Sequence, residues 1–256
     1  MCTVLLLLRP GERWPLLLGS NRDERLDRAF DPPARWWPQL PRVVGGRDRT
    51  GGGSWLAVND DGVVATIVNG MDRLGPLAGK RSRGELVLRA VAERTAAAAA
   101  NAIAALDAER YRGFTLVVAD RERAFAVVND ERAIRAHALA PGHHMVTPDG
   151  CDRAGSPRFE AHFPAFRASA APEPSRDDWA EWIALLRHAD EDDPHRAITV
   201  VTDRAFGTVS STLLALPAEH DAPPIVLFAN GPPTEAPYEP IVAPWDRRPH
   251  VEGASR

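Results

Sequence analysis

The second residue of the chain is a cysteine, and the run behind it, Thr3-Val4-Leu5-Leu6-Leu7-Leu8, has the composition of a strand. A side chain this small at position 2 predicts enzymatic removal of Met1, which leaves Cys2 at the head of the chain with a free α-amino group. Thiol and amine then belong to one residue, a nucleophile beside its own base. Their ordinary pKa values, about 8.5 and about 7.7 to 8.0, let the amine take the thiol proton near neutral pH, directly or through one water. A free cysteine also serves as a small apolar residue, and position 2 alone is compatible with either role.

Asn21-Arg22-Asp23-Glu24 follows a second apolar run, residues 15–19, so a hairpin of the two runs returns these four side chains to Cys2. An arginine beside a thiol favours the thiolate, and a carboxylate beside an ammonium holds it in place. Arg22 and a carboxylate of this tetrapeptide are therefore candidate partners of Cys2. Four polar residues after an apolar strand also read as an ordinary loop. Asn69, followed by Gly70, offers an amide donor for an oxyanion or the start of a tight turn.

These residues need a scaffold that brings residue 2 to residues 22 and 69. Residues 4–8 and 15–19 read as a hairpin across Arg9-Pro10-Gly11-Glu12-Arg13, and their nearly continuous apolar character predicts strands covered on both faces. Residues 31–42, rich in Pro and Trp, read as an irregular loop. A second hairpin joins residues 54–58 and 63–68 over Asn59-Asp60-Asp61-Gly62. Ser82 with Glu85 three residues on predicts a capping box, and Thr95 caps a second helix running through the alanines to about Leu106. Strands follow at 114–119, 124–128 and 134–139, helices at 158–168 and 179–188, and strands again at 197–201, 208–216 and 225–228. The order predicts an α+β fold with helices outside mainly antiparallel sheets, either a four-layer αββα sandwich or a plainer arrangement. A single domain over residues 1–233 and a Pro-rich tail over 234–256 are the expected organisation.

Composition narrows the class. A chain of 256 residues with 44% hydrophobic and 26% charged content suits one sizeable domain or two small ones. The formal net charge of -4 argues against a nucleic-acid partner, which needs clustered surplus cations. Lys80 is the only lysine, and the arginines are scattered among acids. Cys2 and Cys151 cannot build a disulfide framework, so a reducing, cytoplasmic setting is the expectation. The opening run is too short for a signal peptide, and no stretch reaches the ~20 apolar residues of a membrane span. No metal-ligand spacing stands out, and His143-His144, being adjacent, would face opposite ways in a strand and read as surface or loop. Nothing in the chain sets an oligomeric state.

Read together, Met1-Cys2, Asn21-Arg22-Asp23-Glu24, Gly52-Gly53-Ser54-Trp55, Ser82-Arg83-Gly84, Tyr111-Arg112-Gly113-Phe114 and Gly207-Thr208-Val209-Ser210-Ser211 resemble, in this order, the NRDE family, which includes the transport and Golgi organisation protein 2 homologues. That family is in turn similar to N-terminal nucleophile (Ntn) cysteine hydrolases, the branch with bile-salt hydrolases and penicillin V acylases. The resemblance implies a four-layer αββα sandwich with the nucleophile heading an inner strand. By position it implies Cys2 as nucleophile, Arg22 and Asp23 as its partners, and Asn69 as the oxyanion donor. Asn21, Glu24 and Arg158 of Ser156-Pro157-Arg158-Phe159 become candidate substrate contacts. Met145-Val146-Thr147-Pro148 departs from the Ser-Asn that many relatives carry after a Leu, so the Thr147 hydroxyl is the candidate replacement donor. Thr115 likewise stands where relatives often carry Asn.

The function implied is hydrolysis of a small amide or acyl substrate through a Cys2 acyl-enzyme, an amidohydrolase acting on non-peptide C–N bonds without cofactor or metal. The alternative from another class is a carrier that binds haem or an acyl or lipid group in the same pocket and takes part in its trafficking.

Overall fold

The computed structural model describes residues 2–71, 73, 75–190, 192–202 and 205–242. Along the chain run β1 (Thr3–Leu8), β2 (Leu16–Arg25), β3 (Phe30–Ala34), β4 (Val43–Asp48), β5 (Leu56–Asn59), β6 (Val64–Asn69), α1 (Gly84–Val91) and α2 (Ala96–Ala104). Then come β7 (Phe114–Ala119), β8 (Ala124–Asn129), β9 (Ile134–Leu139), β10 (Gly142–Thr147), β11 (Gly150–Cys151), α3 (Pro157–Ala168), α4 (Ala180–Leu186), β12 (Phe206–Leu216), β13 (Ile225–Ala229) and β14 (Glu239–Pro240).

Side-chain alternation along β1 sets the layering. Val4, Leu6 and Leu8 join a core that also holds Leu56, Val64 and Val117 of the other sheet. Leu5 and Leu7 pack instead with Phe166, Trp182 and Leu186 on the side of α3 and α4. Successive residues of a strand face opposite ways, so a leucine run covered on both faces is what an inner strand between two layers requires. The order β11-β10-β1-β2-β12-β13-β14 puts β1 and β2 in the middle of one sheet, and every pairing in it is antiparallel.

The second sheet has the order β3-β4-β5-β6-β7-β8-β9, again antiparallel throughout. Its outer face carries α1 and α2, through Leu86, Val87, Ala99 and Ile103 against Ala65, Ile67, Leu116 and Val127. The layers are therefore helix, sheet, sheet, helix, the αββα sandwich among the expected alternatives. None of the helices among the described residues is long and apolar enough to cross a membrane.

Several local expectations are corrected. Residues 21–24 are not a loop after the strand, because β2 continues through them to Arg25, held between β1 and β12. Part of the Pro- and Trp-rich passage is edge strand β3, whose outer position tolerates Pro32 and Pro33. His143 and His144 lie in β10, paired with Leu7 and Leu6. The capping box at Ser82 does not form: α1 starts one residue later without a side-chain cap, and Glu85 is held by Arg81 and by the Tyr111 hydroxyl. Thr95 does cap α2, accepting from the Ala98 N–H. Of the expected tail, Glu239–Pro240 pairs with β13.

Candidate active site

Cys2 stands immediately before β1, only 8% exposed, at the border of the core between the sheets. Its Sγ donates to the Asp23 backbone carbonyl at 3.7 Å. Around it opens a cleft of about 340 Å³ whose wall includes Arg22, Glu24, Trp55, Asn69 and Arg83. The register Thr3↔Asn21 and Val4↔Ser20 makes the return of residues 21–24 to Cys2 a direct result of the first hairpin.

Alternation along β2 then splits the four polar residues between two faces. Leu16 and Leu18 face the other sheet, and Arg22, in phase with them, lies against Trp55 and Phe30 of that sheet, its guanidinium carbon 4.2 and 5.1 Å from their ring centroids. Arg22 is 5% exposed, and its Nη1 is buried without a hydrogen-bond partner among the described residues. Asn21 and Asp23 face the α3/α4 side. Asp23 Oδ1 accepts from Thr208 Oγ1 at 2.6 Å, and Oδ2 lies 4.0 Å from Arg158 Nη1, an ion pair whose side chains are both almost wholly buried. Arg158 also donates to Thr3 Oγ1 and to the Pro194 carbonyl.

Electrostatics do not follow the expectation of a thiol tuned downward. Burial pushes the Cys2 thiol above its ordinary value and the Asp23 carboxylate adds to this, while the amino terminus is the largest opposing influence and Arg22 a smaller one. Burial likewise raises Asp23, opposed most by the amino terminus and then by Arg158. The thiol is thus held neutral until a proton acceptor comes into play.

Three expected substrate contacts do not reach the cleft. Asn21 is fully buried, its amide spent on the Leu186 and Ile198 carbonyls and on Thr199, with its carbonyl accepting from Ser211 Oγ. It ties β2 to the helix layer. Thr147 is 1% exposed, with its hydroxyl engaged by Ser156 and the Asp149 N–H in the turn after β10. Arg158 stands behind Asp23, away from the cleft wall. Glu24 and Asn69 do line the cleft, and no hydrogen bond engages the Asn69 amide among the described residues.

Other wall residues had no role assigned from sequence. Gly53 and Gly84 explain how two separate motifs meet: a Cβ on Gly53 would stand 2.3 Å from the Gly84 carbonyl carbon, and the Ser54 N–H donates to the Gly84 carbonyl. This backbone contact seats Trp55 beside the start of α1. Arg83 reaches the carbonyls of Arg73, Gly75 and Gly113, and so pins the segment before α1 to the turn before β7. Arg28, also in the wall, pairs with Asp48 at 2.7 Å and with Glu24 at 3.6 Å.

The model of the family described as Transport and Golgi organisation 2 matches residues 1–222. The chain belongs to the TANGO2 family. No curated protein sequence matches it. Among solved structures, this TANGO2-family chain is similar to a Caenorhabditis elegans N-acylethanolamine-hydrolyzing acid amidase ortholog, with a TM-score of 0.54 and 13% identity over 85% of this chain and 94% of that one. It is similar also to the C2A variant of conjugated bile acid hydrolase from Clostridium perfringens, with a TM-score of 0.51 and 10% identity over 98% and 100% of the two chains. At such identities the likeness speaks for the fold, an Ntn-hydrolase-type α+β sandwich.

Away from the cleft, His144, Cys151 and Asp152 bring potential metal-ligand atoms within 4.8 Å of one another, a grouping the spacing did not announce. His144 Nδ1 lies 2.6 Å from Asp152 Oδ2 and its Nε2 lies 2.7 Å from the Ala140 carbonyl. An imidazole with acceptors at both nitrogens is the protonated form, which has no lone pair for a metal. The arrangement reads as an ion pair that closes the β10–β11 hairpin.

Proposed function

We propose that the protein is an N-terminal cysteine hydrolase that cleaves a small amide or acyl substrate, acting on a non-peptide C–N bond, through a Cys2 acyl-enzyme. The observation that carries the reading is the setting of Cys2: it heads an inner strand, opens into a cleft, and has Asp23 on the neighbouring strand. The two structural relatives, an N-acylethanolamine-hydrolyzing acid amidase ortholog and a conjugated bile acid hydrolase, support the same class of reaction.

With Met1 removed, the Cys2 α-amine is the base closest to its own thiol. Because burial keeps that thiol neutral, proton transfer to the amine accompanies attack rather than preceding it. Sulfur bonds to the substrate carbonyl carbon, and the oxygen takes up the negative charge, stabilised by the Asn69 amide; such a donor is worth ~10²-fold to 10³-fold in rate. Collapse expels the leaving amine, which takes the proton from the Cys2 ammonium, and a thioester remains. Water adds to the thioester, giving the acid and the free thiol. Asp23 holds the ammonium, and Arg158 with Thr208 holds Asp23.

Intact-mass analysis of the purified protein tests this directly. Loss of Met1, a stable adduct of one acyl group after exposure to a thiol-reactive lactone, and absence of that adduct in Cys2→Ala are the expected results. Retention of Met1 in protein that still hydrolyses the substrate would sink the amine mechanism. Saturable binding of haem or an acyl ligand that survives Cys2→Ala, without any turnover by the wild type, would favour the carrier role.

A further inference from the structure

Among the described residues, six cationic side chains line the cleft against three acidic ones, Asp23, Glu24 and Asp48. Glu24 and Asp48 are both engaged by Arg28. The same wall carries Lys80 and Arg83, whose hydrogen-bond acceptors among the described residues are backbone carbonyls alone. Lys80 Nζ donates to the Glu109 carbonyl. Arg83 uses both Nη1 protons, on Arg73 and Gly113, and one Nη2 proton, on Gly75, which leaves its Nε–H and one Nη2–H of the five in the fork. Carbonyls satisfy hydrogen bonds but supply no countercharge; the carboxylates that act on Lys80 and Arg83 through space, Glu131 and Glu24, are themselves paired with Arg73 and Arg28. Arg22, buried and with an unpartnered Nη1 among the described residues, lines the same cleft.

With Arg112 also in the wall, this concentration of cations in a concave site favours a negative charge. Arg83 shows the strain: burial, and then the nearby Arg112, lower its pKa to about 10, which still leaves it protonated at neutral pH. The Cys2 thiol and Glu24 are among the groups that oppose this lowering, so Arg83 is within electrostatic range of the nucleophile. Arg81 is not part of the surplus, because Glu85 pairs with it at 2.7 Å.

We infer that Lys80 and Arg83 form an anion subsite of the Cys2 cleft, and that the substrate is an amide or ester bearing a carboxylate, sulfonate or phosphate a few bonds from the scissile carbonyl. This rests on the proposed hydrolase reading for the word substrate, while the binding itself needs no turnover. Arg22, facing the same space beside Cys2, turns the anion toward the thiol and sets the carbonyl between them. The volume of about 340 Å³ lies at the small end of small-molecule sites, which suits a compact ligand of one short acyl chain and one charged group.

The test uses Cys2→Ala protein, which binds without consuming ligand, and two probes of equal size, N-hexanoylglycine and N-hexanoylglycinamide, which differ by one negative charge. Calorimetric titration is expected to give at least about tenfold tighter binding of the charged probe, consistent with charge-assisted hydrogen bonds. Lys80→Ala on that background is expected to remove most of the preference and Lys80→Arg to restore it; Arg83→Gln is expected to remove it too, with circular dichroism checking its fold. Lys80 being the only lysine, acetic anhydride labelling followed by peptide mapping reads protection of one ε-amine by the charged probe. Equal affinity for the two probes, binding of neither, or a preference unchanged in Lys80→Ala overturns the inference. Failure of acyl-enzyme formation in the wild type, with the charge preference intact, overturns the hydrolase reading instead.

Discussion

The Arg22 guanidinium lies over the Trp55 indole at 4.2 Å, joining the strand next to Cys2 to the opposite sheet through a cation and a ring face. Both residues are buried, and Gly46 makes the room, since a Cβ there would stand 2.2 Å from the indole. A desolvated cation–π contact is worth ~2 kcal/mol.

Trp55→Ala removes both the ring and the support of a buried charge. The expected loss of stability is about 3–5 kcal/mol, as for other aromatic truncations in a core. Trp55→Phe keeps a ring face under Arg22 and is expected to cost markedly less. Urea unfolding of the two variants decides the matter: equal losses would mean that the stack contributes nothing beyond volume.

Gly53→Ala drives a methyl group into the Gly84 backbone, where no rotamer can relieve the clash. We expect a loss of about 2–3 kcal/mol, the upper part of the range for overpacking, together with reduced activity because the Ser54–Gly84 contact that joins two parts of the cleft wall is pushed apart. Gly11→Ala is the control, with φ +86° but open space around its Cβ, and should cost only the left-handed backbone penalty of about 1–2 kcal/mol. Thermal melts in which Gly11→Ala is the more damaging would refute the clash.

The His144–Asp152 pair predicts a definite pH dependence. Burial lowers the His144 pKa, but the Asp152 hydrogen bond and the Ala140 carbonyl outweigh it, and the net direction is upward. A histidine whose folded pKa exceeds its unfolded value of about 6.5 binds its proton more tightly when folded. Its contribution is complete below that unfolded value and fades as pH rises through the folded pKa. The stability difference between wild type and His144→Gln should therefore be larger at pH 5.5 than at pH 9, measured by urea unfolding at each. A difference that grows with pH would reverse the assignment.

How much of this could be read from the residues varies with the distance over which each is satisfied. The strands at 114–119 and 134–139 and the Thr95 cap depend on local apolar runs and local hydrogen bonds, and they were legible. Cys2, Arg22, Asp23 and Asn69 were legible as types, and the first hairpin and the cleft bring them together. The division of Asn21 and Asp23 from Arg22 was hidden, because a polar tetrapeptide looks like a loop until its partners are known. Those partners, Leu186, Ile198 and Thr208, come from far along the chain. Strand β4 was missed because Gly45 and Gly46 imitate a turn, whereas a Cβ at either would meet Ala57 or Trp55. The surplus charge of Lys80 and Arg83 was invisible for a similar reason: a scattered cation reveals its lack of a carboxylate only once its neighbours are in place.

The alternation along β2 has a consequence for how this gene can vary. Substitution at residue 22 or 23 changes one side chain, but gaining or losing a single codon between the hairpin turn and residue 22 rotates everything downstream to the opposite face. Arg22 would then point toward the helices and Asp23 toward the other sheet. Length changes should be borne by the exposed turn at residues 10–13 and rejected throughout 16–22, so an indel scan would outline the reacting centre more sharply than a substitution scan.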